Sequence, residues 1–341
     1  MLPGRHGRDG AASLSGGHSL VTLSGYPVQH PVLMKTIAVL KALRNATSDF
    51  AAESVNRYAA LEPGFLAVGR VLQKNKLTNT VYRRSVETLV DRLRHGEHRH
   101  RTVRIGDLTF EYDVTDFTAG PLYFNDHPYE PETTQFLLDT LRAGDTFVDV
   151  GAHGGYFSVI AAKRVSSTGR VFAFEPNPAM YAVLQEHVRL NGIGDRVVSS
   201  ELAISDVDDG TVTLFVSNCE TNTGLSSLIA APAQLEAGSL SLERTVQVKT
   251  RTIDTWMRSA GLARPIDVMK IDVEGAESQV LAGMKETLAT RPPRRIIFEA
   301  ERGAPLPPAL VERGYETRLL DTYGGRENIL FSLPRERSIA P

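Results

Sequence analysis

Residues 145–177 read DTFVDVGAHGGYFSVIAAKRVSSTGRVFAFEPN, and their pattern decides the fold. An apolar strand, Thr146 to Val150, runs into the small-residue turn Gly151-Ala152-His153-Gly154-Gly155. A helical run carrying Phe157, Ile160, Ala161 and Arg164 follows, and a second strand, Val171 to Phe174, ends on Glu175. This is a βαβ unit with a glycine loop after its first strand and a carboxylate closing its second. Glycines let backbone N–H groups approach a ligand closely, and a carboxylate there accepts both hydrogens of a ribose diol. The pattern predicts a nucleoside-containing ligand.

The absent features narrow the ligand. A dinucleotide site needs G-x-G-x-x-G at the strand-to-helix turn, so that a pyrophosphate can rest on the helix N-terminus. Here the residue two after Gly151 is His153. Asp149, just before the loop, would repel a pyrophosphate but suits a cation such as the α-ammonium of S-adenosylmethionine. A Rossmann-like turn without a ligand is the bland alternative.

A chain of 341 residues has ample length for a core, as one large domain or two modest ones. A net charge of −2 argues against nucleic acid or an anionic membrane recruited by bulk electrostatics. The single cysteine, Cys219, forbids an intrachain disulfide and fits a reducing cytoplasm. No apolar run approaches the roughly 18 residues of a membrane span.

Residues 1–30, rich in Gly, Ser, His and Pro, read as a disordered leader. From 31 to about 94 the apolar spacing is helical, predicting an N-terminal helical cap that also offers a surface for self-association. The basic cluster around His95, His98 and His100 has histidines at metal-like spacing but no acidic or cysteine partner to complete a site. A hairpin follows, Thr102 to Ile105 and Leu108 to Tyr112 across Gly106-Asp107. This first region closes at 128, after an aromatic, loop-like stretch, and the ligand-binding domain is expected over 129–341.

Within that domain helices and strands alternate. Helices are expected from Pro131 to Leu141 and from Pro178 to Leu190. One strand should span Val197 to Ile204, and Thr211 to Val216 should pair antiparallel with Thr245 to Thr250. Between those two, residues 217–243 form a loop of the length that is functional or mobile in compact domains. Then come a short helix near 255–260, a strand to Ile271, a helix over 276–288, a strand over 295–299, a helix over 307–313 and two final strands. The alternation predicts a mainly parallel sheet with helices on both faces and ligands at the strands' carboxyl ends. Polar residues gather there: Asp149, Glu175, Ser205-Asp206, the run Lys270 to Gly275, and Glu299. Lys270 and Glu274 could pair with each other.

FVDVGAHGGYFS, AFEPNP, LNG, AIS-D, TIDTW, KIDVEGAE, VLAGM and IIFEA stand in that order over about half the chain. Together they resemble the FkbM-type family of S-adenosylmethionine-dependent methyltransferases. One departure is His153, where that family commonly has Asn. The resemblance implies an α/β, Rossmann-like class I methyltransferase fold with a seven-stranded, mostly parallel sheet. It also implies O-methylation, often of a sugar or natural-product hydroxyl. The cofactor-binding candidates are Glu130, Asp149, Gly151, His153, Gly155, Glu175, Pro176, Asn177, Ser205, Asp206 and Asp272.

An acceptor oxygen attacking a sulfonium methyl needs alignment and exclusion of water, and a hydroxyl of high pKa also needs a base. Asp272 ranks first, with Glu274, His127 and Glu299 behind it; no metal ligand set is expected. Transfer to nitrogen or carbon by the same fold, or a cofactor-binding homologue without turnover, stand as alternatives.

Overall fold

Residues 62–334 are described by a computed structural model, apart from 75, 95–98, 117, 126, 218–223, 225, 229–239 and 263. The leader, the helical spacing expected over 31–61, His95, His98 and Cys219 lie outside the described residues.

Two helices come first, α1 (Glu62–Leu72) and α2 (Lys76–Arg94), then the hairpin of β1 (His100–Ile105) and β2 (Leu108–Asp113) across the expected Gly106-Asp107 turn. The stretch read as an aromatic loop contains a short helix, α3 (Ala119–Asn125). The Asp116 side chain accepts from Thr118 N at 2.9 Å just ahead of it, and its Leu122 and Phe124 are buried. Seven residues are too few for a helical period to stand out in the sequence. Leu89 and Leu93 of α2 pack with Phe124 and Val114, with Phe65 and Leu66 of α1 against them.

The chain continues with α4 (Pro131–Thr140), β3 (Thr146–Val150), α5 (Tyr156–Val165), β4 (Arg170–Phe174), α6 (Pro178–Leu190) and β5 (Val197–Ser200). Asn177 caps α6 by accepting from Ala179 N at 3.1 Å, and Pro178 occupies the first turn, where its missing N–H costs nothing. The expected strand over 197–204 breaks at Glu201-Leu202. Its end, β6 (Ala203–Ile204), leaves the main sheet and joins β7 (Thr211–Ser217) and β8 (Leu240–Arg251) in a three-stranded sheet, where β7 and β8 are antiparallel as expected.

Next come α7 (Ile253–Ser259), β9 (Val268–Ile271), α8 (Glu277–Ala282), α9 (Lys285–Thr290), β10 (Arg295–Glu301), α10 (Pro308–Val311), β11 (Glu316–Tyr323) and β12 (Arg326–Ser332). The single helix expected over 276–288 is two, because the backbone at Gly283 abuts the chain after β6. A Cβ there would stand 2.0 Å from Ser205 O. The Asp254 carboxylate on α7 accepts from Glu286 N and Thr287 N at 2.9 and 2.7 Å and starts α9 afresh.

The main sheet runs β11-β12-β10-β9-β3-β4-β5. β5, β4, β3, β9 and β10 are parallel, and β12 is antiparallel to both neighbours. This is the seven-stranded, mostly parallel α/β sheet of the class I methyltransferase fold. Side chains alternate across it with period two. Phe147, Val171, Ala173, Val268 and Ile297 pack with α4, α5 and α6, whereas Val148, Phe172, Phe174, Met269, Ile271 and Phe298 pack with α7, α8 and α9.

Candidate active site

The same alternation builds a polar stripe. Asp149 lies in register with Lys270, Lys270 with Ile297 two residues before Glu299, and Glu299 with Asn328. All four are on the α4–α5 face near the carboxyl ends of the parallel strands, and all are buried. A buried charge persists only when paired or hydrogen-bonded, and each of these has partners. Lys270 Nζ bonds the Asp272 carboxylate, lies 3.9 Å from Glu130 Oε2 and sits 4.8 Å over the Phe157 ring. Burial works to depress the Lys270 pKa, but the charges of Asp272, Glu130 and Asp149 outweigh it and raise the pKa. The expected Lys270–Glu274 pair does not form. Side chains two apart on a strand share a face, which gives Lys270 to Asp272, and Glu274 instead meets Arg326 at 3.1 Å.

The glycine loop is held from every side. Gly151 N and Ala152 N both donate to Phe174 O, at 3.0 and 2.9 Å. Gly151 has φ +84°, and a Cβ there would stand 1.8 Å from Asp272 O, so its lack of a side chain serves the closeness of two loops as well as any ligand. His153 has φ +50°. Asn and His are among the non-glycine residues enriched in that region, which gives the departure at this position a backbone reason. His153 is half-buried, and desolvation lowers its pKa. Gly154 O accepts from His187 Nδ1 at 2.6 Å, while His187 Nε2 accepts from Glu111 N at 3.0 Å. Asn191, four residues on, exchanges hydrogen bonds with both the N–H and the carbonyl of Thr109. One face of α6 thereby pins β2 beside the loop.

Glu175 joins the end of β4 to this loop. Its Oε2 accepts from His153 N at 2.7 Å and its Oε1 from Asn177 N at 2.8 Å. Each oxygen keeps a lone pair, and both belong to a side chain that lines a cavity of about 400 Å³. Burial pushes its pKa up to about 7. Beside it, Phe174, Leu202, Ile204, Leu214 and Leu228 make an apolar wall. The described part of the long loop contributes to the same cavity. Ser226 Oγ accepts from Ser217 N and Ser227 Oγ donates to Glu274 O.

Elsewhere the cavity is lined by Asp272, Glu274 and Glu299, whose carboxylates each bring an oxygen within 4.8 Å of the others. Two cations meet them: Lys270 on Asp272, and Arg326, 3.1 Å from Glu274 and 3.3 Å from Glu299. Burial pushes Asp272 up, but the Lys270 charge and hydrogen bond win and hold it below the ordinary carboxylate range. Glu274 is pushed up to about 8 by burial and then by Asp272. Burial, Asp272 and Glu274 push Glu299 well above its ordinary value.

Of the sequence candidates, Gly151, His153, Glu175, Pro176, Asn177, Asp272 and Glu274 converge on the cavity. Several others do not line it. His127 is exposed, its Nδ1 3.1 Å from Pro128 O. Asp149 lies beneath the loop, accepting from Ser158 Oγ at 2.6 Å, with burial raising its pKa to about 6. Glu130 is behind Lys270 and accepts from Asn328 Nδ2 at 2.6 Å. Gly155 packs on Leu184. Ser205 and Asp206 turn away because the chain leaves the main sheet at β6, and they bond each other at 3.0 Å. Sequence reasoning missed Tyr323, Gly324 and Arg326, which line the cavity from the turn between β11 and β12. The Tyr-Gly-Gly-Arg signature of a tight hairpin was present. β11 runs with the parallel strands, so that turn falls on their carboxyl edge.

A family profile described as the methyltransferase FkbM domain matches residues 149–313. The chain is 30% identical over 197 residues to the methyltransferase sdnD of Sordaria araneosa, covering 51% of this chain and 72% of that one. The chain belongs to the FkbM methyltransferase family. This FkbM chain is also 37% identical over 124 residues to the 2-O-methyltransferase NoeI of Sinorhizobium fredii, and 30% identical over 160 residues to the hexuronic acid methyltransferase AglP of Haloferax volcanii. It spans about half the length of those two relatives, 49% and 58%, and they match 35% and 47% of it. Among solved structures it is similar to M. jannaschii TYW2 in complex with AdoMet, at 14% identity and a TM-score of 0.37, over 70% of this chain and 86% of that one. Glu130, Tyr323 and Arg326 lie outside the stretch that the FkbM profile matches. No helix among the described residues is long and apolar enough to cross a membrane.

Proposed function

We propose that this chain uses S-adenosylmethionine to methylate a hydroxyl oxygen of a small molecule, a sugar or a glycosylated natural product. The observation that carries the reading is Glu175. Its carboxylate, already ordered by two backbone N–H groups, faces a cavity between the glycine loop and an apolar wall. That lining fits a nucleoside. The free lone pairs of Glu175 take the ribose hydroxyls, and Phe174, Leu202, Ile204 and Leu228 flank a flat base. The bound cofactor supplies an electrophilic methyl group on a sulfonium centre. The name of NoeI, a 2-O-methyltransferase, supports transfer to oxygen, and that of AglP, a hexuronic acid methyltransferase, supports a sugar as acceptor.

The chain's own residues then orient the acceptor, exclude water and take a proton. Asp272 suits that last role poorly, because Lys270 already holds it as a stable anion. Glu274 suits it better. It lines the cavity, its pKa of about 8 lies near the working range of a base, and a cationic ligand beside it would lower that value and ready it to accept. As the acceptor O–H breaks, its proton passes to Glu274, and Arg326 is placed to stabilise the carboxylate before transfer.

The test has two stages. Calorimetry should detect binding of S-adenosylmethionine to the purified chain, and methyl-labelled cofactor should then mark one or more of a panel of hydroxylated glycosides and polyketides. A chain that binds no cofactor sinks the reading. Label on nitrogen or carbon would move it to another class of methyl transfer.

A further inference from the structure

Tyr323 Oη lies 2.9 Å from Glu130 Oε1 and 2.9 Å from Glu299 Oε1. A phenol has one hydrogen, so it can donate to only one of these oxygens. The other contact at hydrogen-bond distance requires a proton on the carboxyl side. Two further features say which side. Glu130 accepts from Asn328 Nδ2 at 2.6 Å and lies 3.9 Å from the Lys270 ammonium, so its surroundings stabilise an anion. Glu299 Oε2 is buried and makes no hydrogen bond among the described residues; the Arg326 guanidinium 3.3 Å from it is shared with Glu274, and Asp272, held as an anion by Lys270, is within hydrogen-bonding reach of Glu299.

We propose that Tyr323 is a positioning residue that binds Glu130 and Glu299 into one proton-sharing unit, with the shared proton resting on Glu299 and the Tyr323 hydrogen directed at Glu130. The groups facing this unit from the neighbouring elements are Lys270 and Asp272 at the end of β9, Glu274 in the loop after it, Arg326 on β12 and Tyr129 ahead of α4. Burial raises Glu130 to about 7 and raises Glu299 well above its ordinary value, in keeping with one retained proton near neutrality. Two carboxyls this closely linked titrate as a pair, not as independent sites.

The consequence for chemistry rests on the methyl-transfer reading above. A Glu299 that keeps this proton carries no charge, so Asp272, Glu274 and Glu299 do not repel one another as three anions around Arg326. Glu274 is then the carboxylate left to receive the acceptor's proton. Glu130 and Tyr323 do not line up with the matched FkbM segment, whereas Glu299 does.

Infrared spectroscopy of the full chain, without cofactor or acceptor, tests the unit directly, because a protonated carboxyl absorbs apart from carboxylates and amides. Glu175 and Glu274 also hold protons near neutral pH, so the reading is a difference spectrum: wild type minus Glu299→Gln should show a protonated-carboxyl component that wild type minus Glu130→Gln lacks. Tyr323→Phe keeps both carboxyls but deprives Glu130 of a donor and Glu299 of an acceptor. It should raise the first group's pKa and lower the second's, moving the titration midpoint of the component by roughly one pH unit. Absence of that component from the Glu299→Gln difference, its presence in the Glu130→Gln difference, or an unmoved midpoint of the component in Tyr323→Phe would each overturn the proposal. An inactive chain with the expected component would count against methyl transfer alone.

Discussion

At the scale of single residues, Glu175 does two jobs that a substitution would expose together. Glu175→Ala removes the acceptor of any ribose hydroxyls, two charge-assisted bonds worth roughly 1.5–3 kcal/mol each before compensation, so cofactor affinity should fall about tenfold or more. It also strands the buried N–H groups of His153 and Asn177, so the melting temperature should fall as well. Calorimetry on folded variant showing undiminished affinity would remove Glu175 from the site. Glu274 and Asp272 separate on turnover. If Glu274 takes the proton, Glu274→Gln should lower kcat by about 10²–10⁴-fold with cofactor affinity little changed. Asp272→Asn should instead weaken the Lys270 pair and reduce stability, with a smaller loss in kcat. The opposite order of effects would return the role to Asp272. The acid character of these positions was legible in KIDVEGAE, but their division of labour was not. It depends on Lys270 and Arg326, one two residues away and the other fifty-two residues away from its Glu274 partner.

At the scale of elements, the glycine loop belongs to three structures at once: the end of β3, the hairpin of β1 and β2, and α6. His187 is the bolt. Nδ1 donates to Gly154 O, Nε2 lies 3.0 Å from both the N–H and the carbonyl of Glu111, and burial lowers the His187 pKa, favouring the neutral form in which Nε2 accepts from Glu111 N. His187→Ala loses both bonds and leaves a cavity among Phe110, Tyr112 and the loop, at a cost of roughly 2–4 kcal/mol. Hydrogen exchange should quicken over both 108–113 and 151–155; unchanged exchange in the loop would show that the hairpin does not support it. The helix and the hairpin were each readable from local periodicity and turn residues. Their docking was not, since His187 and Asn191 look like ordinary helix-end residues until β2 lies beside them. The capping of α4 is similar. Glu132 N and Thr133 N donate to the Asp321 carboxylate of β11 at 3.0 and 2.8 Å, a partner supplied from the far end of the chain.

For the whole molecule, the buried carboxyls set a pH dependence whose sign can be worked out. Glu130, Glu175 and Glu274 have folded-state values near 7, 7 and 8, all raised above the unfolded value by burial first. Between the unfolded and folded values the folded chain binds more protons, so this stability is fully present at low pH and is lost as pH rises through about 7 to 8. His153 and His187 shift in the opposite direction, with lowered values, and act below about 6.5, where the unfolded histidines take up protons. Above that point the carboxyls dominate. The chain without ligand should therefore melt at a lower temperature at about pH 8.5 than at about pH 6.5, and a bound cation at the acidic cluster should shrink the difference. A melting temperature that rises over this interval would mean that these groups are not held as the burial implies.

What the sequence by itself determined is what repeats or signals locally. Strand and helix alternation, the glycine loop, Glu175 at a strand end and the acidic run after Lys270 are read within a few residues, because side-chain period and turn chemistry act at short range. The tertiary structure alone decided which charges meet. Tyr323 reaches Glu130 across 193 positions and Glu299 across 24. Arg326 enters the site only because β12 turns back between β10 and β11. The break after β5 that sends Ser205 and Asp206 away from the cavity, and the split at Gly283, also come from packing of segments distant in the chain. Burial completes the difference. A carboxylate has its ordinary acidity in an extended chain, and only when the sheet and its helices close around Glu130, Glu274 and Glu299 does desolvation raise their pKa values.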